Sequence, residues 1–281
     1  MVACLANMIT NDPASPYALG STDAEHERLI WQAARVAPIT ERLFCEAGIG
    51  LGQRVLDIGS GVGDVAMLAA RLVGPSGEVV GIERDARSIA RARARVAEAG
   101  LHNVSFTQSD VSETPDGEPF DAVVGRFILM FLPNAVAALR ALSRLVRPGG
   151  VFAFQEPSWA PTLARLAPLP LWSATAKFIH ETLLRTGANP EMGPELYHTF
   201  QEAGLLAPTM RMEMPLGKEP DLAKWICDTF SSLRPQMERL HLPVESLGNL
   251  DTLLDRMQAE VMESKTVACW FAAVTAWSRK P

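Results

Sequence analysis

The sequence predicts an α/β, doubly wound fold, a parallel sheet covered by helices on both faces. Three observations carry that expectation. From residue 55 to 154, short Val- and Ile-rich runs alternate with segments of helical period. The connections between them are short and carry Gly or Pro, as crossovers between buried parallel strands do. At 281 residues and 48% hydrophobic composition, the chain can bury one large core that carries insertions.

Taken in order, Leu29, Ile30, Ala33, Ala34, Val36 and Ala37 recur at three-to-four spacing, so a helix begins at Thr22 and ends at Pro38, which lacks the next amide proton. A second helix runs through Phe44 to Ala47 and stops at Gly48. Strands follow at 55–58, 79–82, 104–108, 122–124 and 151–154, with helices at 64–72, 87–99 and 134–145. The rhythm then breaks. Pro157, Pro161, Pro168, Pro170 and Pro190 crowd a stretch whose helix-like part, 174–184, has no strand after it. A helix at 194–203 leads to 209–214, where Met210, Met212 and Met214 alternate with Arg211 and Glu213 in the period of a strand. Residues 221–264 are helical again, and 267–277 is apolar, aromatic and β-branched, fitting a last strand. Seven strands result, organised as N-terminal cap helices (1–50), a core (51–156), a cap insertion (157–190), a core helix and sixth strand (191–216), a helical cap insertion (217–265) and a last core strand (266–281).

Lys and Arg total 26 against 32 Asp and Glu, and a net charge of −6 repels phosphate backbones, so nucleic acid is not the expected partner. The densest basic run, Arg84 to Arg95, is diluted by acids and spread around a helix, as on a solvated face. Four cysteines without CxxC spacing predict neither a disulfide framework nor zinc. No run approaches the roughly 18 apolar residues of a membrane span, and residues 1–20 lack a basic export region. The expectation is a cytoplasmic protein in a reducing compartment.

The sharpest motif is Val55-Leu-Asp57-Ile-Gly59-Ser60-Gly61-Val-Gly63-Asp64, a buried strand turning through glycines into a helix. Free amides at such a helix N-terminus, at the carboxyl end of a first strand, meet a nucleotide-like ligand. The dinucleotide fingerprint GxGxxG is absent, because its sixth position is Asp64 and the third glycine falls one residue early. Asp57 and Asp64 beside the turn would repel a pyrophosphate and suit an ammonium. S-adenosylmethionine, with an amino-acid tail and no phosphates, fits better than NAD. Glu83, twenty residues after Gly63, is placed to accept both ribose hydroxyls. Asp110 can accept the adenine amine while Val111 packs on the ring.

Residues 53–156 resemble the class I S-adenosylmethionine-dependent methyltransferases, in particular those similar to the ubiquinone and menaquinone C-methyltransferases. VLDIGSGVGD, GIERD, QSDV, FDAVVGRFILMFLP and LVRPGG match five successive motifs of that family. The resemblance implies a Rossmann-like, seven-stranded, mostly parallel sheet with helical cap insertions, and a cofactor site of Asp57, Gly59, Ser60, Gly61, Gly63, Glu83, Arg84, Asp110, Val111 and Phe127. It further implies that Tyr17, Gln32 and Arg126 hold the methionine moiety, and it extends to enzymes of secondary metabolism. Gly125-Arg126-Phe127 stands where aminomethylating enzymes carry (D/N)PP(Y/F), and Gln155-Glu156-Pro157 stands where catechol enzymes carry metal ligands, so no metal is expected.

The expected acceptor is a small, largely apolar, aromatic or isoprenoid metabolite methylated on carbon or oxygen. Trp159, Trp172, Phe178, Tyr197 and Trp225 are the candidate acceptor-binding residues. A hydroxyl or weakly acidic carbon needs a base. Glu156 ranks first because it ends the fifth strand, with a purely structural role equally open, and His26 and His180 follow. Two other uses of such a site stay open: a rearrangement assisted by the bound sulfonium, and a non-catalytic cofactor-binding partner.

Overall fold

A computed structural model describes residues 22–110 and 118–281. Seven strands form one sheet: β1 (Arg54–Ile58), β2 (Glu78–Glu83), β3 (Val104–Gln108), β4 (Phe120–Arg126), β5 (Val146–Ser158), β6 (Thr209–Glu213) and β7 (Ala272–Arg279). Their spatial order is β3-β2-β1-β4-β5-β7-β6. All neighbours up to β5 pair in parallel, whereas β7 runs antiparallel to both β5 and β6. The fold is the mostly parallel, doubly wound sheet expected.

Successive residues of the central strands feed opposite faces, as the two-residue period requires. Val55, Val124 and Ala153 join one apolar cluster, while Leu56, Val123 and Phe152 join the other. On the first face lie α2 (Asp64–Val73) and α3 (Ala86–Glu98), and on the second α4 (Ala135–Leu142) and α7 (Met192–Glu202). The cap comprises α5 (Ala160–Leu166), α6 (Pro170–Arg185), α8 (Pro220–Arg239) and α9 (Leu253–Glu263), and it continues the second cluster through Trp172, Trp225, Phe230 and Met257.

Two expectations about elements are corrected. Pro38 does not end the first helix: α1 runs unbroken from Asp23 to Ala47. Proline in a helix interior costs about 3 kcal/mol. Val36, Ile39, Leu43 and Phe44 are all buried around it, and tertiary burial at ~1.5–3 kcal/mol per large side chain outweighs that cost. The last strand does not start at residue 267. Ala268–Cys269 pairs with Leu216–Gly217 in a separate short ribbon, and β7 begins at Ala272. Trp270 and Phe271 break the run because both rings turn into the aromatic cluster of the cap.

Candidate functional site

The glycine-rich turn is built as the sequence suggests, but its three glycines do different work. All have positive φ, at 63°, 51° and 88°. A Cβ on Gly59 would lie 2.5 Å from Ile128 Cδ1, and one on Gly63 would press Ala92 and Phe106 at 3.1 Å. Both glycines are required by packing; Gly59 also lines the cavity at this turn, as expected of it, whereas Gly63 does not. A Cβ on Gly61 meets nothing within 4 Å, so Gly61 faces open space.

That space is a cavity of about 560 Å³ at the carboxyl ends of β1, β2 and β4, roofed by α1, α6 and α8. Its size is that of a small-molecule site. One end is polar, lined by Ser60, Gly61, Glu83, Asp110 and Arg126. The other is apolar, lined by Phe127, Trp159, Leu183, Trp225, Leu233 and Phe271.

At the polar end, Glu83 Oε2 accepts the Gly61 amide at 3.0 Å, and its Oε1 accepts the amides of Arg84 and Asp85 at 2.7 and 3.0 Å. A carboxylate offers about four acceptor positions, so one is left, on Oε2. The position left on Oε2 faces the cavity end where a ribose hydroxyl is expected. Arg84 lies 3.8 Å from Asp110 across the mouth. Asp64 is held by Arg95 at 2.7 Å. Asp57 lies beneath the turn rather than in the cavity wall, with both its oxygens buried and the Ala66 amide the nearest backbone donor. Burial raises its carboxyl well above the usual range, against the opposing pull of the Arg126 guanidinium. Burial likewise lowers Arg126, with Asp64 and Asp57 acting against it. Arg126 Nη1 donates to Thr40 Oγ1 at 3.2 Å. Ser60 Oγ is buried, unpartnered and in the cavity wall. The acids of this end, with its amides already taken up by Glu83, disfavour phosphates and suit a ligand carrying hydroxyls and amino groups, which fits S-adenosylmethionine.

Over this end lies an assembly built on Gln32, which lines the cavity as expected, together with Glu25, Arg28 and Ser232, which the sequence reading missed. Arg28 is buried in an ion pair with Glu25 and donates from Nη1 to Gln32 Oε1 at 2.8 Å. The same Gln32 oxygen accepts Trp225 Nε1 at 3.1 Å, and Ser232 donates to Glu25 at 2.6 Å. Two bridges thus tie α1 to α8 across the cavity. The spacing Glu25, Arg28, Gln32, which puts three polar residues on one helix face, was the available signal.

At the apolar end the rings form a continuous wall. Trp225 lies 5.1 Å from Phe271, 5.5 Å from Trp270 and 6.0 Å from Trp159, and Phe127 meets Phe271 edge-on at 5.1 Å. Three expected acceptor residues are elsewhere. Trp172 is fully buried in the cap core with Nε1 bonded to Met257 O, Phe178 packs on that core outside the cavity, and Tyr197 is 41% exposed beside His198 on α7.

The three base candidates are also outside the cavity wall. His26 is buried 3.2 Å from Ser88 Oγ. His180 sits behind Trp159, and burial lowers its pKa against the raising charges of Glu191 and Glu181. Glu156 is wholly buried and accepts backbone amides. Tyr17 and Val111 lie outside the described residues. Among the described residues, no group of three or more His, Cys, Asp or Glu is arranged to hold a metal, and no helix is long and apolar enough to cross a membrane.

A doubly wound sheet whose switch point carries this polar cradle defines a nucleoside-binding enzyme. Residues 50–204 match the family described as Methyltransferase domain, and the chain belongs to that family. It is an S-adenosylmethionine-dependent methyltransferase of class I. Over 179 residues it is 33% identical to the ubiquinone/menaquinone biosynthesis C-methyltransferase of Coxiella burnetii strain Dugway 5J108-111, covering 63% of this chain and 68% of that one. Among solved structures it resembles the YcgJ protein of Bacillus subtilis, with TM-score 0.58, 16% identity and coverage of 86% of this chain and 97% of that one. Geranyl diphosphate C-methyltransferase from Streptomyces coelicolor, crystallised with S-adenosyl-L-homocysteine, shares the fold at TM-score 0.54 and 16% identity, over 87% of this chain and 76% of that one.

Proposed function

We propose that the chain methylates carbon or oxygen of a small, apolar, aromatic or isoprenoid metabolite, with carbon favoured by the C-methyltransferases it resembles. The observation that carries this reading is the two-ended cavity: a polar cradle for the cofactor opens directly onto a wall of aromatic rings. Flat or branched apolar groups stack on such a wall, whose Trp159, Trp225 and Phe271 are buried and whose Phe127 is half-buried, so that it excludes water.

In this reading the open position on Glu83 Oε2 takes a ribose hydroxyl and Asp110 takes the adenine amine. Arg126 and Gln32 hold the methionine end, with Ser60 and the Gly61 amide beside it. Bound S-adenosylmethionine supplies a methyl group on a sulfonium whose positive charge disappears during transfer. The apolar wall favours that loss of charge and holds the acceptor in line at about 3–3.5 Å. Phe127, Trp159, Trp225 and Phe271 orient the acceptor.

The test is a mass-spectrometric screen of small aromatic and prenylated metabolites, scored by formation of S-adenosylhomocysteine together with a product heavier by one methylene. Exclusive modification of a protein or RNA in that screen overturns the acceptor class.

A further inference from the structure

One stretch of the cavity wall runs from Arg126 to Leu132, and four successive amides within it are fixed from one side. Phe127 N donates to Gln155 O at 2.9 Å. Ile128 N and Leu129 N donate to Glu156 Oε1 at 3.0 and 2.8 Å, and Met130 N donates to Glu156 Oε2 at 3.3 Å. Two adjacent residues of β5 therefore hold the main chain from Phe127 to Met130. The wall needs holding, because Phe127 stands at φ 55°, a left-handed conformation that a bulky residue keeps only when its surroundings impose it. What is held matters to the site: Phe127, Ile128 and Met130 line the cavity, and Ile128 fills the space a Gly59 side chain would take.

We propose that Glu156 is a positioning residue for the cavity wall, acting through Ile128 and the two residues after it, and that it is not the base of methyl transfer. Three convergent N–H groups require an acceptor side chain at this position, which accounts for a wholly buried carboxyl group without any cationic partner among the described residues. The carboxyl is absent from the cavity wall, although its neighbour Pro157 lines it.

The experiment compares Glu156→Ala, Glu156→Gln and Ile128→Ala in the whole chain, with S-adenosylhomocysteine as probe. Gln keeps the carbonyl oxygen that serves Ile128 and Leu129, so E156Q should bind within about twofold of wild type. E156A should lose about tenfold or more, as expected for stranded buried amides. Hydrogen exchange at residues 128–130 should quicken in E156A while Phe127, bonded to the Gln155 carbonyl, and the strands stay protected. I128A keeps Glu156 and its bonds, so exchange should hold while affinity still falls several-fold, which decides the matter even if E156A fails to fold. Wild-type affinity in E156A or in I128A overturns the proposal. So does E156Q that binds the probe normally yet loses about a hundredfold or more in turnover of a methylated acceptor, the mark of a lost base. The binding arms stand whether or not the acceptor class proposed above is right.

Discussion

Gly59 and Gly61 stand two residues apart with similar φ, yet one substitution should affect them differently. Alanine in the left-handed region costs about 1–2 kcal/mol at either position. At Gly59 the added methyl also collides with Ile128, so Gly59→Ala should lower the thermal midpoint more, by a further ~1–3 kcal/mol of overpacking. Gly61→Ala should fold better and bind S-adenosylhomocysteine worse, which calorimetry beside a melting curve separates. Glu83→Ala removes both a ligand contact and the clasp on the Gly61 amide, and should weaken the same ligand by ~1.5–3 kcal/mol; wild-type affinity would contradict the assignment of Glu83 to the cofactor. Two buried carboxyls set a pH dependence. Burial raises Asp57 well above its ordinary value and pushes Glu156 up to about 8, against the pull of three amides. Both bind protons more tightly folded than unfolded, so their contribution is complete below the unfolded values near 4 and fades as pH rises through the folded ones. The unfolding midpoint should therefore fall between about pH 5 and pH 8. Asp57→Asn and Glu156→Gln should each flatten that slope, and an unchanged slope in both would refute the linkage.

Among the elements, the cofactor half was readable because ten contiguous residues, 55–64, carry strand, turn and helix start together, and backbone chemistry dictates each. The acceptor half was not. The end proposed for the acceptor is assembled from the turn after β4, the junction of β5 and α5, α6, α8 and the segment before β7, and helical period marks a buried face without saying whether that face meets a core or a cavity. Trp159 and Trp172 illustrate this: both are buried aromatics of the first insertion, but Trp159 lines the cavity and Trp172 anchors α6 to α9. Trp172→Phe should accordingly destabilise by about 1–3 kcal/mol, through the lost bond to the Met257 carbonyl and the space left by the smaller ring, and leave cofactor affinity untouched. Trp225→Phe removes the bridge to Gln32 and should loosen α1 from α8, raising the acceptor KM with a smaller loss of stability. The positive φ of Phe127 left no trace in the sequence, since residues that hold a strained conformation come from another strand.

At the scale of the molecule, four of the six tryptophans, Trp31, Trp159, Trp225 and Trp270, touch one another in a chain of rings that ends at the cavity. Intrinsic fluorescence should therefore report ligand entry, and most of the change should vanish in Trp225→Phe. The sheet itself has a consequence in time. β7 lies between β5 and β6 and pairs with both, although Ser158 and its partner Ala272 are separated by the two cap insertions and by β6. As the chain leaves the ribosome, β5 is made early and must wait, one flank bare, while more than a hundred residues are added before its neighbour exists. Long-range closures of this kind are slow. The nascent protein therefore passes through a stage in which the cofactor half is complete and the sheet still has a sticky margin, the point at which a chaperone would have most to protect.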